Sequence, residues 1–68
     1  MLADDTLKAI EALSREAYMI TEPVAKEGWS ISQTDADRLH RIVLDIHLLA
    51  AYPDSDYSRN LTALLTVK

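Results

Sequence analysis

One glycine, Gly28, and two prolines, Pro23 and Pro53, are the only strong breakers of backbone regularity in the chain. With so few turns signalled, the sequence can connect only a few long elements. Phe is absent, and Leu, Ile and Ala carry most of an apolar content of 49%, which suits helices. Three segments result, separated near Gly28 and Pro53, and together they make a single domain over residues 1–68.

The first segment spans about Asp4 to Lys26. Asp4 or Asp5 can accept a hydrogen bond from a free N–H at the helix start, and both favour the positive end of the helix dipole. Ala3, Ile10, Ala17 and Val24 recur every seven residues, with Leu13 and Ile20 three further on from Ile10 and Ala17. They form one stripe at helical period, broadened by Leu7. Lys8, Glu11, Arg15, Glu16 and Glu22 lie opposite, and Glu11 stands four residues before Arg15, the favourable order for a helical ion pair. Pro23 removes the N–H that would reach the Met19 carbonyl. Either the helix kinks near Met19, or it stops near Ile20 and restarts with Thr21 as cap. Gly28 then provides a C-terminal cap.

Ser32 stands three residues before Asp35, and Thr34 three before Asp37, so a second helix starts in that window. It runs to about Tyr52, where Pro53 stops it. Ala36, Leu39, Val43, Ile46 and Ala50 make its main stripe, widened by Ile42 and Leu49. Closing this stripe on that of the first helix gives an antiparallel helical hairpin. Its expected core is Leu13, Ile20, Leu39, Val43 and Ile46. The reverse side of the same helix, within RIVLDIHLLAAY, is also apolar. Leu44, Leu48, Ala51 and Tyr52 share one sector, His40 and His47 form its edge, and Asp37, Arg41 and Asp45 are interleaved at spacings of four. Such a mixed face suits a second surface or a third helix.

The third segment starts at a Pro-Asp turn, where Asp54 or Ser55 can cap a helix. Tyr57, Leu61, Leu64 and Leu65 then share a helical face. The alternative for LTALLTV is a short strand, because Thr and Val favour strands; a short C-terminal helix is the favoured reading. The fold class is therefore all-α.

A chain of 68 residues buries only ~60% of the surface exposed when unfolded, so its core is marginal. Cysteine is absent, which removes disulfides and thiolate metal sites as support. A partner subunit remains, and the chain is expected to form a homodimer. Its formal charge of −4, with eleven acidic and seven basic residues and no basic run, speaks against direct nucleic-acid binding. No basic, apolar leader and no run near the ~20 apolar residues of a membrane span appear, so a cytoplasmic location is expected. The sequon Asn60-Leu61-Thr62 is read as chance.

Residues for catalysis or cofactor binding are not evident. His40 and His47 are seven apart, or ~10 Å along a helix, too far to share a metal ion whose helical ligands sit three or four apart. Asp35, Asp37, Arg41 and Asp45 read as a self-paired charged surface. Asp54 and Asp56 in PDSDY lack the further ligands and glycine of a calcium loop. No nucleophile motif or Gly-rich phosphate loop occurs. Trp29, the single tryptophan, lies beside the only glycine and either folds over the open end of the hairpin or anchors a partner. Met19, next to Tyr18 and off the main stripe, adds adaptable apolar surface.

In length, lack of cysteine and its two long helical stretches, DTLKAIEALSREAYMI and TDADRLHRIVLDIHLLAAY, the chain resembles the small acidic proteins that bacteriophages make early to disable a host factor. Within that group it is similar to the helical, dimeric anti-quorum-sensing type of Pseudomonas phages, which binds the regulator LasR and the pilus-assembly ATPase PilB. The resemblance implies a non-enzymatic inhibitor that needs no cofactor and binds a host protein. Trp29, His40, Leu44, His47, Leu48 and Tyr52 are the candidate contacts to a partner or a second copy. The alternatives are a DNA-binding regulator using ISQTDADRLHRIVLDI as a helix-turn-helix element, which Asp35 and Asp37 would oppose at phosphate, and a structural adaptor subunit.

Overall fold

The structure, a computed structural model, describes residues 3–28 and 30–66. They form three helices, α1 (Asp4–Glu27), α2 (Gln33–Ala51) and α3 (Asp56–Thr66), with no strand among the described residues. The all-α reading therefore holds, and the described part of LTALLTV, up to Thr66, is helical rather than extended.

The helix ends follow from local chemistry. The Ser32 hydroxyl accepts a hydrogen bond from the Asp35 N–H at 3.1 Å, which fixes the start of α2 at the first of the two candidate caps. Gly28 adopts the left-handed conformation, φ 69°, and its N–H reaches the Val24 carbonyl at 3.1 Å. No atom crowds the space a Cβ would fill there, so glycine is favoured by backbone conformation alone. At α3, Ser55 rather than Asp54 is the cap, its Oγ accepting from the Ser58 N–H at 3.2 Å.

Two expectations about α1 need correction. Asp4 and Asp5 lie inside its first turn, and no side chain caps the helix at Ala3. Their contribution is to the helix dipole alone. Nor does the helix restart at Thr21: α1 continues through Pro23, and the Thr21 hydroxyl bonds back to the Ala17 carbonyl at 3.0 Å. A proline near a helix end removes one hydrogen bond, and the packing of the rest of α1 carries the helix across it.

Helices α1 and α2 form the antiparallel hairpin, and α3 returns against α1, with only slight contact to α2. α1 is thus the surface on which both other helices rest. The buried apolar residues are Ala9 and Leu13 of α1 and Ile42 and Leu49 of α2, flanked by half-buried Ile10, Ala17, Ile20, Ile46, Leu61 and Leu65. Of the expected core, Leu13 is buried and Ile20, Leu39 and Ile46 are half-buried, whereas Val43 is 58% exposed. The inward face of α2 is centred on Ile42 and Leu49, about 100° around the helix from Val43. The cause is α3. It covers the Asp45 side of α2 and turns that side, rather than the Val43 side, toward the interior. The same helix explains why Thr6 and Ala9 are buried while Leu7, assigned to the α1 stripe, is 49% exposed.

This rotation has a measurable consequence. Leu49→Ala should cost ~2–5 kcal/mol through lost transfer energy and cavity formation. Val43→Ala, on the exposed side, should stay within about 0.5 kcal/mol. Urea melts followed by circular dichroism, at a concentration where sedimentation shows the single chain, compare the two, and equal losses would place Val43 inside.

Candidate interaction surface

The reverse face of α2 divides into two parts once α3 is in place. Arg41, Asp45 and Leu48 form the part beside α3. Asp45, expected among exposed ions, is only 7% exposed. Its Oδ1 accepts a hydrogen bond from the Tyr57 hydroxyl at 2.5 Å and lies 3.5 Å from Arg41 Nε. The Tyr57 hydroxyl in turn accepts from the Arg41 guanidinium at 3.0 Å, and that guanidinium sits 5.9 Å from the centre of the Tyr57 ring. Hydrogen bonding to Tyr57, and the nearby charges of Tyr57 and Asp45, hold the Arg41 guanidinium above its ordinary pKa. A buried carboxylate needs such partners, because an unpaired one is strongly disfavoured. Leu48 is half-buried, and its carbonyl accepts from the hydroxyl of fully buried Ser58 at 3.1 Å. Asp37 does not join this network: it is exposed and accepts from the Gln33 side-chain amide at 2.9 Å.

The other part of the reverse face is uncovered. His40 and His47 are exposed, Leu44 is 41% exposed and Tyr52 59%. The structure thus brings His40, Leu44 and His47 onto one open surface, with Leu48 and Tyr52 at its α3 edge. It adds Val43, together with Ala50 and Ala51, both exposed. Spacing places Val43 in the expected core and Ala50 on the main stripe of the helix, so their exposure was not legible from spacing. Trp29 lies outside the described residues.

A second uncovered region lies at the turn end of the hairpin. Met19, Ile20, Pro23 and Val24 of α1 and Ile31 of the connecting loop line a groove of about 360 Å³. Its wall is an ion pair between the helices, Glu16 to Arg38 at 2.6 Å, with Asp35 3.9 Å from the same guanidinium. Met19 is 68% exposed, Tyr18 beside it 61%, and Ile31 40%. The Glu22 carboxylate, as hydrogen-bond acceptor and as charge, raises the Tyr18 hydroxyl above the ordinary tyrosine pKa. Of these, Met19 is legible in the sequence as apolar surface because it falls off the stripe, whereas Ile31 is hidden in a loop without periodicity.

Among the described residues, no three His, Cys, Asp or Glu side chains converge as metal ligands. What these surfaces offer chemically is apolar contact bordered by a few ions. No protein-family model matches this chain, and no curated protein or solved structure matches it.

The α2–α3 contact is predicted to depend on one hydroxyl. Tyr57→Phe keeps the ring near Arg41 but leaves Asp45 without its closest donor, and should cost ~1–3 kcal/mol. Urea denaturation and amide exchange in α3 report on it; unchanged exchange in α3 would show that the bond does not hold that helix.

Proposed function

We propose that this chain acts by binding another protein rather than by catalysis, as a homodimer in the cytoplasm. In this reading it holds a host protein, such as a transcriptional regulator, in an inhibited state. The observation that supports the reading is the apolar surface left outside the core around the turn-end groove, where Tyr18, Met19 and Ile31 stand exposed beside the Glu16–Arg38 ion pair. A rigid helical pair presenting aromatic and Met side chains with an ionic border has the composition of an interaction hot spot. Inhibition by occupancy needs nothing further: a complementary patch of ~800 Å² is sufficient for a specific complex. No described helix is long and apolar enough to cross a membrane. The net charge of −4 favours a basic or neutral partner surface over nucleic acid. The resemblance to phage-encoded host-factor inhibitors points the same way and supplies LasR and PilB as first baits.

Met19→Glu tests the reading. Met19 is exposed, so helicity should be unchanged, while a charge placed in the contact should weaken target binding at least ~10-fold. Wild-type and variant chains are compared by titration calorimetry against a purified bait, or against a target first captured from host lysate. A fixed stoichiometry for the wild type and loss for the variant are expected. Equal binding by both would move the contact away from the groove, and failure to saturate any bait or captured protein would remove the inhibitor reading.

A further inference from the structure

We propose that the open face of α2 is the seam of an antiparallel two-fold dimer, in which His40 of each copy lies opposite His47 of the other. This assignment rests on the homodimeric reading above and gives it a surface and a register.

The first observation is an excess of surface. The chain exposes 5156 Å², whereas a compact monomer of its mass exposes about 4,300 Å². The difference is surface that a compact monomer of this mass would bury. The radius of gyration, 13.2 Å, likewise exceeds the ~11 Å of a compact chain of this length. The chain is thus more extended, with more surface to cover, than a compact monomer of its size.

The second observation identifies the occupant. Along the open face lie Ala36, His40, Val43, Leu44, His47 and Ala51, exposed or, for Ala36, half-buried. None of these six carries a formal charge at neutral pH, the exposed Asp37 and Ala50 flank them, and α2 has no Asp, Glu, Lys or Arg beyond Asp45. The gaps between these six are 4, 3, 1, 3 and 4 residues, so the row reads the same from either end: Ala, His, apolar, apolar, His, Ala. A two-fold interface requires a patch complementary to itself. With the axis passing between Val43 and Leu44, Ala36 meets Ala51 of the second copy, His40 meets His47, and Val43 meets Leu44. An antiparallel two-fold pair sets different positions against each other, so each facing pair must be compatible, and here alanine meets alanine, imidazole meets imidazole and aliphatic meets aliphatic. A parallel pair would also set Asp35 and Asp37 beside their own copies.

The residue types suit their places in that register. Alanines at both ends let the helices approach closely. Val43 and Leu44 fill the centre. Each neutral imidazole can donate from one ring nitrogen and accept at the other, so a facing histidine pair can hydrogen-bond without outside help. The row extends over about 22 Å of helix, a narrow seam at the small end of stable interfaces, so the dimer should form in the micromolar range.

Sedimentation equilibrium from about 10 µM to 1 mM should show the mass rising to twice 7.6 kDa. Leu44→Glu, at a site 41% exposed in the monomer, should keep the helical spectrum and weaken association on the order of 100-fold, since an unpaired charge is poorly tolerated in a desolvated seam. The chain has no cysteine, so single-cysteine variants give the register directly. His40→Cys mixed with His47→Cys in a glutathione buffer should yield the mixed disulfide. Each variant alone should not cross-link efficiently, because like positions would be ~10 Å apart along the axis, beyond disulfide reach. A wild-type monomer throughout would remove the homodimer and the seam together. A dimer indifferent to Leu44→Glu would keep the homodimer and overturn the seam. Efficient cross-linking of His40→Cys to itself would overturn the antiparallel register. Unchanged mass with lost target binding in Leu44→Glu would give this face to the target instead.

Discussion

Ala9 and Leu13 on α1, closing with Ile42 and Leu49 on α2, make the buried apolar cluster of the described residues, and the rest of the molecule is arranged around it. Its size sets everything else. Burying a Leu or Ile side chain is worth ~1.5–3 kcal/mol, and ordering each residue costs ~1–2 kcal/mol in backbone entropy. Four buried apolar residues cannot hold three helices in place. The half-buried ring of Ile10, Ala17, Ile20, Ile46, Leu61 and Leu65 must contribute, and α3 must stay docked for Leu61 and Leu65 to do so.

Against α2, that docking is largely polar. α3 meets α2 at few points, and those with named partners are hydrogen bonds: Tyr57 to Asp45, and Ser58 to the Leu48 carbonyl. No buried side-chain polar atom among the described residues lacks a partner. Such contacts add little net stability each, but breaking one strands a buried group. The network therefore acts more on specificity than on energy. It fixes which side of α2 turns inward, and so which side is left open.

The sequence made the boundaries legible and the rotation of α2 illegible. Gly28, Ser32 and Pro53 each act through their own backbone, so their effects are local and readable. The choice between the Val43 and the Ile42 sides is not local. Both carry apolar residues at helical spacing, and an apolar count prefers Val43 because the other side includes Asp45. Asp45 is acceptable inside because the Tyr57 hydroxyl, twelve residues away, joins its local partner Arg41. Likewise, His40, Leu44 and His47 were readable as a surface feature, while Val43 and Ala50 joined them only after the rotation was known. Nothing in the described residues bears on Trp29.

The rotation also connects the fold to binding. Had Val43 packed inward, the outer surface of α2 would have shown Asp45 and Arg41 among its leucines, a solvated face with no need of cover. Turning Asp45 inward removes the last acidic group from the C-terminal half of that surface and leaves Val43, Leu44 and the two histidines together. The buried carboxylate and the uncharged open face are thus two sides of one helix orientation. A polar contact to α3 inside the fold creates an apolar surface outside it, and an apolar surface on a chain with so small a core is stable in water only while it is narrow or covered.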